Sequence, residues 1–467
     1  MRASLVVVLA IAIGAAVYAA RPTRTPIAVL VTGGTVITQD ASRRVLAPGA
    51  VAVNDTDIVE VGTPEDLRRK YDAAQVIDAT GQAVLPGLIN THGHAPMVMF
   101  RGLADDLALQ DWLEHYIFPA EAKTVSPAFV RTATRLAAAE MIRSGTTTFT
   151  DMYYFEEEIA RATRAAGLRA VLGQTVIQFP VADARSPTEG LARAEAFIRA
   201  FKGDPLITPA VAPHAMYTLD GPTLQATAAL GRRYDVPVLI HVAETRTERD
   251  DAIRLYGQSP VGYLDGLGFF TPRTVAAHGI WVSPEDIAIL QARHVALSHN
   301  PESNMKLASG AAPVTGYLRA GVTVSLGTDG AASNNDLDMF EAMRQAAFLA
   351  KLSTGDPSAV SAQTALDMAT RGGAAALGLD AAVGSLEAGK RADLIAVSLA
   401  APRQRPRYDV VSHLVYVTRG DDVRTTIVNG RVLWRDGRLL SLDERAVNAE
   451  AEALAGAVRE AVRPTTH

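Results

Sequence analysis

Residues 86–94 read PGLINTHGH, from Pro86 to His94, and this stretch decides the fold. If the apolar residues before Thr91 form a strand, side-chain alternation places His92 and His94 on the same side, just beyond its carboxyl end. Two neutral imidazoles in this position can share one metal ion, and zinc suits them. A His-x-His pair is weak evidence by itself, so the prediction depends on what the other strands carry at their ends.

Composition limits the classes of protein to which the chain can belong. It has 467 residues, of which 48% are hydrophobic and 20% charged, and these values are typical of a globular protein with a large core. The length favours a large barrel with a smaller second domain. A net charge of -5 without a long basic run argues against a nucleic-acid surface. Because there is no cysteine, any metal must be held by histidines and carboxylates.

Residues 1–20 have the pattern of a secretory signal. Arg2 precedes an apolar run from Leu5 to Ala20, which ends in small residues. We therefore expect export to the periplasm or the outside of the cell, with cleavage after Ala19 or Ala20. The alternative is an uncleaved N-terminal anchor, although the run is short for a membrane span of about 20 residues. Contact with a membrane is expected only in that second case.

Both ends of the chain are rich in short strands separated by turn signals. Residues 26–84 and 383–446 share this texture, which predicts one small β-sandwich domain built from both chain ends. The pairs Asn429-Gly430 and Asp436-Gly437 are strong hairpin signals. A strand is predicted at 414–417, and an Ala- and Glu-rich helix at 447–463.

Residues 85–382 alternate short apolar strands with helical patterns. Eight such strands, each followed by helical sequence, predict an α/β fold of the (β/α)8 TIM-barrel type. A doubly wound sheet is the alternative, and the lack of a GxGxxG or Walker-type loop after any strand makes it less favourable. The predicted barrel strands lie at 85–90, 146–150, 170–173, 208–212, 236–240, 274–277, 295–298 and 322–327.

Several predicted barrel strands end in groups suited to metal-assisted hydrolysis. In a barrel the reactive residues collect at the carboxyl ends of the strands. Each of these residues alone has an ordinary explanation, such as a buried histidine or a loop-capping aspartate. Together they predict a zinc-type site with a position open to water. The strand-end residues are His92 and His94 on the first strand, His241 and Glu244 on the fifth, His278 on the sixth and Asp329 on the eighth.

Seven motifs, in order along residues 28 to about 440, carry a family resemblance. The chain resembles the amidohydrolase superfamily and, within it, the 5′-methylthioadenosine/S-adenosylhomocysteine deaminases. The motifs are PGLINTHGHAPM at 86–97, RGLADDL at 101–107, PHAMY at 213–217, HVAET at 241–245, SHNPESNMKL at 298–307, LGTDGAASNN at 326–335 and GSLEAGKRADLIA at 384–396.

This resemblance implies one metal ion per subunit. The ion is expected to be Zn²⁺, with Fe²⁺ or Mn²⁺ as alternatives, and its ligands would be His92, His94, His241 and Asp329. No lysine stands where a bridging carbamate would form, which favours one metal over two. The resemblance also implies catalytic roles: Glu244 would carry a proton to the ring nitrogen, His278 would orient the attacking hydroxide, and Asp329 would accept a proton from it.

The resemblance further implies a small-molecule substrate, an adenosine-type nucleoside. Glu121 matches the family position that binds the ribose hydroxyls, and His214 one that faces the nucleoside; His299 and Ser333 are expected in the pocket wall. Gln174 stands where the family has an arginine for the homocysteine carboxylate. Adenosine, 5′-deoxyadenosine or methylthioadenosine is therefore favoured over S-adenosylhomocysteine. The alternative is another N-heterocycle, such as a triazine, guanine or a pterin. Relatives often form dimers or tetramers, so a homo-oligomer is compatible with the resemblance.

Overall fold

A computed structural model describes residues 24–461, and its strands and helices alternate along the barrel as predicted. The segment predicted to be a signal, residues 1–20, lies outside the described residues. The strands are β1 (Thr25–Ile37), β2 (Val45–Asn54), β3 (Asp57–Gly62), β4 (Tyr71–Asp78), β5 (Gln82–Pro86), β6 (Leu88–Asn90), β7 (Thr146–Tyr153), β8 (Arg169–Val176), β9 (Ile207–Pro213), β10 (Val238–Val242), β11 (Thr274–His278), β12 (Ala296–His299), β13 (Val324–Leu326), β14 (Leu394–Ser398), β15 (Val423–Val428), β16 (Arg431–Arg435) and β17 (Arg438–Leu439).

The helices surround these strands, and several begin at a capping serine. Ser126 and Ser283 accept hydrogen bonds from N–H groups of the first turns of α4 and α10. The helices are α1 (Pro64–Lys70), α2 (Leu109–Trp112), α3 (Phe118–Thr124), α4 (Pro127–Ser144), α5 (Glu156–Ala166), α6 (Pro187–Phe201), α7 (Gly221–Tyr234), α8 (Arg246–Tyr256), α9 (Pro260–Gly266), α10 (Pro284–Ala292), α11 (Pro301–Lys306), α12 (Val314–Ala320), α13 (Met339–Thr354), α14 (Ala362–Ala369), α15 (Arg371–Ala376), α16 (Val410–Tyr416) and α17 (Glu444–Ala461).

Strands β6 to β13 form one parallel sheet in which the spatial order follows the chain. Its two edges meet through backbone hydrogen bonds. The N–H of Thr91 donates to the carbonyl of Leu326 at 2.9 Å, and the N–H of Asp329 donates to the carbonyl of His92 at 3.0 Å. The sheet therefore closes into the predicted (β/α)8 barrel, and this closure brings the ends of its first and last strands together.

The remaining strands form a second sheet from both ends of the chain, as predicted. It has nine strands in the order β17-β16-β15-β14-β5-β1-β2-β3, with β4 paired to β1, and most of its pairs are antiparallel. The predicted sandwich domain is thus built on one continuous sheet. Its hydrophobic core contains side chains from both ends of the chain, such as Val51 and Ile427. Both predicted hairpin turns, 429–430 and 436–437, are confirmed, and all four of their residues have positive φ.

The two sheets are joined directly beneath the strand that leads to His92. Only Gly87 separates β5 from β6, and a Cβ atom on it would lie 2.1 Å from the side chain of Thr147. A buried ion pair lies nearby, with Nε of Arg169 on the barrel 2.8 Å from Oδ2 of Asp393, the residue directly before β14 of the second sheet. The first barrel strand is therefore held in place by both sheets.

One predicted element is wrong. Residues 414–417 were predicted as a strand, but Val410–Tyr416 is helix α16. Asp409 caps it by accepting the N–H of Ser412 at 2.7 Å, and the helix packs against α13 and α14. The C-terminal helix begins at Glu444, a little before its predicted start. The domain boundaries at 84/85 and 382/383 stay a prediction.

No helix between residues 24 and 461 combines the length and the apolar character needed to cross a membrane.

Candidate metal centre and active site

The four predicted metal ligands converge at the carboxyl-terminal mouth of the barrel. Oδ1 of Asp329 lies 3.4 Å from Nε2 of His92 and 3.2 Å from Nε2 of His94. Nε2 of His94 is 3.4 Å from Nε2 of His241. Two ligand atoms that are each about 2.0–2.1 Å from one zinc ion at tetrahedral angles lie about 3.3 Å apart. The spacing of these donor atoms therefore suits a single shared cation.

The hydrogen bonds of the imidazoles also favour metal binding. Nδ1 of His94 lies 2.7 Å from the carbonyl oxygen of Met152, and Nδ1 of His241 lies 2.8 Å from that of His214. These bonds place a proton on Nδ1, so that in the neutral rings the Nε2 lone pairs are directed at the common point. Nε2 of His92 is buried without a hydrogen-bond partner. Burial lowers the pKa of His92 to about 4 and that of His241 well below its usual value, which keeps both in the neutral form that binds metals.

His278 and Glu244 face the same point from the neighbouring strands. Nε2 of His278 lies 3.8 Å from Oε2 of Glu244 and 3.9 Å from Oδ2 of Asp329, so the three groups surround one point without bonding directly to each other. Nδ1 of His278 lies 2.8 Å from Oδ1 of Asn304, which fixes the ring. His278 and Asp329 have φ values of 71° and 64°, in the left-handed region that histidine and aspartate enter more readily than most non-glycine residues.

The backbone that carries Glu244 is held by a buried acid. Glu248 accepts the N–H of Ala243 at 3.0 Å and the N–H of Glu244 at 2.8 Å, one with each carboxylate oxygen. The N–H of Glu248 donates in turn to the side chain of Thr245, the cap of α8, at 3.1 Å. Burial raises the pKa of Glu244, which brings its protonated form closer to neutral pH. Glu244 is therefore fixed in position and suited to exchange protons.

A cavity opens above this cluster at the mouth of the barrel. Glu121 lies in its wall and accepts a hydrogen bond of 2.6 Å from the hydroxyl of Tyr153. Burial raises the pKa of Glu121 to about 7. The predicted residues His214 and Ser333 also line the cavity. Most of the other lining residues are apolar or aromatic, and they include Met97, Leu109, Trp112, Leu113, Ile117, Phe118, Met152, Tyr154, Tyr217 and Leu307.

Two residues predicted to contact substrate, Gln174 and His299, are not among the residues that line this cavity. The Gln174 amide instead donates to Asp183 at 2.9 Å, on the opposite side of β8, while its neighbour Thr175 lines the cavity. Successive side chains of a strand point to opposite faces, so only one of the two can face the mouth. His299 is buried at the end of β12. Neither side chain lines the cavity in this structure, and a role for Gln174 or His299 in binding substrate stays a prediction.

Sequence reasoning missed three groups that shape the site: Asn304, Tyr153 and Tyr217. Asn304 holds His278, Tyr153 bonds to Glu121, and Tyr217 lines the cavity. Asn304 and Tyr217 fall inside the motifs quoted above, so their motif membership was the available signal. The signal for Tyr153 was a pair of tyrosines, 153–154, which begins three residues after the end of the predicted second strand.

A lysine ties the segment before α2 to the loop after β13. Nζ of Lys306 lies 2.6 Å from Oδ1 of Asp105, 2.7 Å from Oδ1 of Asn335 and 3.2 Å from the carbonyl oxygen of Ala332. The segment that contains Asp105 leads into α2, where Trp112 forms part of the cavity wall. Lys306 therefore holds one wall of the cavity against the loop opposite.

A parallel barrel that gathers three histidines, an aspartate and a nearby acid at its mouth defines a class, the metal-dependent hydrolase barrels. Comparison of the sequence with protein families makes this more specific, since the model of the Amidohydrolase family matches residues 83–433. The chain belongs to the amidohydrolase family.

Individual relatives are similar over nearly the whole chain. A 5-methylthioadenosine/S-adenosylhomocysteine deaminase of Syntrophobacter fumaroxidans is 46% identical over 92% of this chain and 98% of its own length. A 5′-deoxyadenosine deaminase of Methanosarcina mazei is 45% identical over 91% and 97%. The crystal structure of an adenosine deaminase from Xanthomonas campestris with bound zinc superposes with a TM-score of 0.92 at 39% identity, covering 94% of this chain and all of that one.

Proposed function

We propose that the protein is a metal-dependent deaminase that hydrolyses the exocyclic amino group of adenosine-type nucleosides and releases ammonia. The observation that carries this proposal is the convergence of the four predicted metal ligands with Glu244 and His278 at the base of a cavity whose wall holds Glu121. The names of the similar deaminases support the same reaction. No specific observation favours a triazine, guanine or a pterin as the substrate.

Side chains of this protein can transfer each proton that the reaction requires. A bound divalent cation would supply a hydroxide at neutral pH by lowering the pKa of a coordinated water. As the water oxygen bonds to C6 of the purine, Glu244 carries one of the water protons to ring nitrogen N1. Asp329 takes the second proton, which passes to the exocyclic nitrogen. His278 holds the attacking oxygen in line. The C6–N bond then breaks, and the products are ammonia and the 6-oxo purine.

The cavity favours a nucleoside without a charged tail. We assign Glu121 to the ribose, because its buried carboxylate is held by Tyr153 and can accept hydrogen bonds from two hydroxyls. Of the described residues that line the cavity, none is a lysine or an arginine that could bind a carboxylate. Gln174 does not supply such a group either, since it faces away. Adenosine, 5′-deoxyadenosine and methylthioadenosine are therefore the proposed substrates ahead of S-adenosylhomocysteine.

A purified sample with measured metal content provides the test. We expect ammonia release and an ultraviolet change with adenosine, and a fall of about 10²- to 10⁴-fold in kcat for Glu244→Gln at unchanged metal content. Glu65→Gln is the matched control, because Glu65 is an exposed residue of α1, the helix between β3 and β4 of the second sheet. Activity on a triazine, guanine or a pterin alone, or full activity of Glu244→Gln, would overturn the proposal.

We also propose zinc as the metal, at one ion per chain, because three histidines and one aspartate form a typical zinc ligand set. Elemental analysis of protein purified without added metal tests this, and one equivalent of iron or manganese would overturn it.

Export and a homo-oligomeric state remain proposals as well. The sequence pattern of residues 1–20 supports export, and N-terminal sequencing of protein from the periplasm or the medium tests it. Light scattering tests the oligomeric state.

A further inference from the structure

Residues 151–156 form the corner between β7 and α5, and we call them the β7 corner. The corner touches the candidate site at two points. The carbonyl oxygen of Met152 lies 2.7 Å from Nδ1 of His94, and the hydroxyl of Tyr153 donates to Glu121 at 2.6 Å. The position of the β7 corner therefore affects both a predicted metal ligand and the residue assigned to the ribose.

Three buried carboxyl groups hold the β7 corner. Such support is needed, because Phe155 has a φ of 55°, in the left-handed region that non-glycine residues seldom adopt. Asp151 and Glu156 are fully buried, and Asp183, from the segment after β8, is 8% exposed. Each carboxyl group accepts a backbone N–H group: Asp151 from Ala95, Glu156 from Tyr153 at 2.9 Å, and Asp183 from Phe155 at 2.8 Å.

Two of these acids form a pair. Oδ1 of Asp151 and Oε2 of Glu156 are both buried without a hydrogen-bond donor, and the two carboxyl groups lie within hydrogen-bonding reach of each other. Two ionised carboxylates would repel each other here, whereas one proton held between them makes one group a donor and the other its acceptor. Burial and the neighbouring charge of Asp151 raise the pKa of Glu156 well above its usual value, so Glu156 carries this proton.

The pair is connected to the loop that contains His94. Ala95, whose N–H donates to Asp151, directly follows His94 in the chain. The carbonyl of Gly93, on the other side of His94, accepts the N–H of Met152 at 3.2 Å. The backbone on both sides of His94 is thus bonded to the end of β7, and these bonds set the position of its ring against the carbonyl of Met152.

We propose that Glu156 is a positioning residue for both halves of the site. Through Asp151 it fixes the loop that carries His94. Through the N–H of Tyr153 it fixes the phenol ring that donates to Glu121. Without Glu156, the buried carboxylate of Asp151 loses a donor and the N–H of Tyr153 loses its acceptor, so both contacts shift. This inference deepens the proposed function and rests on it for the roles of His94 and Glu121.

Zinc binding to the metal-free protein, measured by competition with a chelator, tests the inference without any nucleoside. Glu156→Asp keeps the acid but is one methylene shorter, so it cannot reach both Asp151 and the N–H of Tyr153. Its affinity for zinc should fall about tenfold or more, as is usual when a group that orients a metal ligand is lost. Glu156→Met fills the same space without a polar group, should show the same loss, and decides the test if Glu156→Asp does not fold.

Two further variants separate positioning from a general loss of structure. Glu156→Gln should keep the affinity for zinc within about threefold of the wild type, because its amide offers one donor to Asp151 and one acceptor to Tyr153. Glu158→Leu is the matched control, since it removes a glutamate of the same helical turn whose partners, Arg131 and Arg161, are exposed. Wild-type affinity in Glu156→Asp and Glu156→Met, or an equal loss in Glu156→Gln or Glu158→Leu, overturns the inference.

The contact with Glu121 has its own readout. At saturating zinc, Glu156→Asp should lower kcat/KM for adenosine about threefold more than for 2′,3′-dideoxyadenosine, because only adenosine offers ribose hydroxyls to Glu121. Equal losses for the two nucleosides would exclude the effect on Glu121. If the wild type deaminates no nucleoside, the proposed function fails, and zinc binding still decides whether Glu156 positions His94.

Discussion

Removal of one charge from the buried ion pair between the two sheets should destabilise the protein strongly. The side chains of Arg169 and Asp393 are 7% and 2% exposed. Asp393 accepts two N–H groups of Arg169, at 2.8 and 3.2 Å, and the N–H of Asn429 at 2.7 Å. In Asp393→Asn the guanidinium keeps the carbonyl of Pro205 and the side chain of Asn429 but loses its counter-charge. An unpaired buried charge of this kind costs about 3–5 kcal/mol.

The assay is urea unfolding followed by tryptophan fluorescence, with Trp434 reporting on the second sheet. Asp57→Asn is the matched control, since the pair Arg391–Asp57 is exposed and should contribute at most about 1 kcal/mol. The double variant Arg169→Met/Asp393→Asn should recover at least about 2 kcal/mol relative to Asp393→Asn, because no unpaired charge is left. A loss below about 1 kcal/mol for Asp393→Asn, or strictly additive effects in the double variant, would refute this reasoning.

Three further changes have defined outcomes. Burial raises the pKa of Glu248 from an ordinary 4.5 to about 7. Between these two pH values the native protein keeps a proton that the unfolded chain has already released. The stability of the wild type therefore falls as the pH rises from 4.5 to 7. Glu248→Gln has no acid to titrate at this position. Its free energy of unfolding minus that of the wild type should therefore rise by up to about 3 kcal/mol between pH 4.5 and pH 7. A difference that does not change with pH would contradict this. Glu121→Gln should lower kcat/KM for adenosine about 10- to 100-fold and affect 2′,3′-dideoxyadenosine little, because only the former offers ribose hydroxyls; equal losses would exclude the ribose role. Lys306→Met should speed limited proteolysis of the segment around Asp105 about fivefold, since one partly exposed ion pair is lost, whereas an unchanged rate would show that this bond does not hold the segment.

The sequence predicted the candidate site best at positions where a single residue at the end of a barrel strand forms part of the site. His92 and Asp329 follow apolar strands and His241 lies near the end of one, and barrel geometry alone requires that such positions meet. The same rule could not separate Gln174 from Thr175, because the choice between them depends on which face of β8 points to the mouth, and a shift of one residue reverses it.

The contacts that helices make were less predictable from the sequence than the residues at the strand ends. The run at 414–417 is β-branched and apolar, which suits a strand, but the cap at Asp409 and packing against neighbouring helices produced a helix instead.

The continuity of β5 and β6 through Gly87 has a consequence for synthesis on the ribosome. Pro86 pairs with Leu394 on β14, and Leu88 with Thr146 on β7. His92 and His94 leave the ribosome early. Strand β14, which pairs with β5 just before them in the chain, emerges only after the whole barrel has been translated. Vectorial folding can therefore assemble most of the barrel, while the final register of the first metal-binding strand is set after translation is nearly complete.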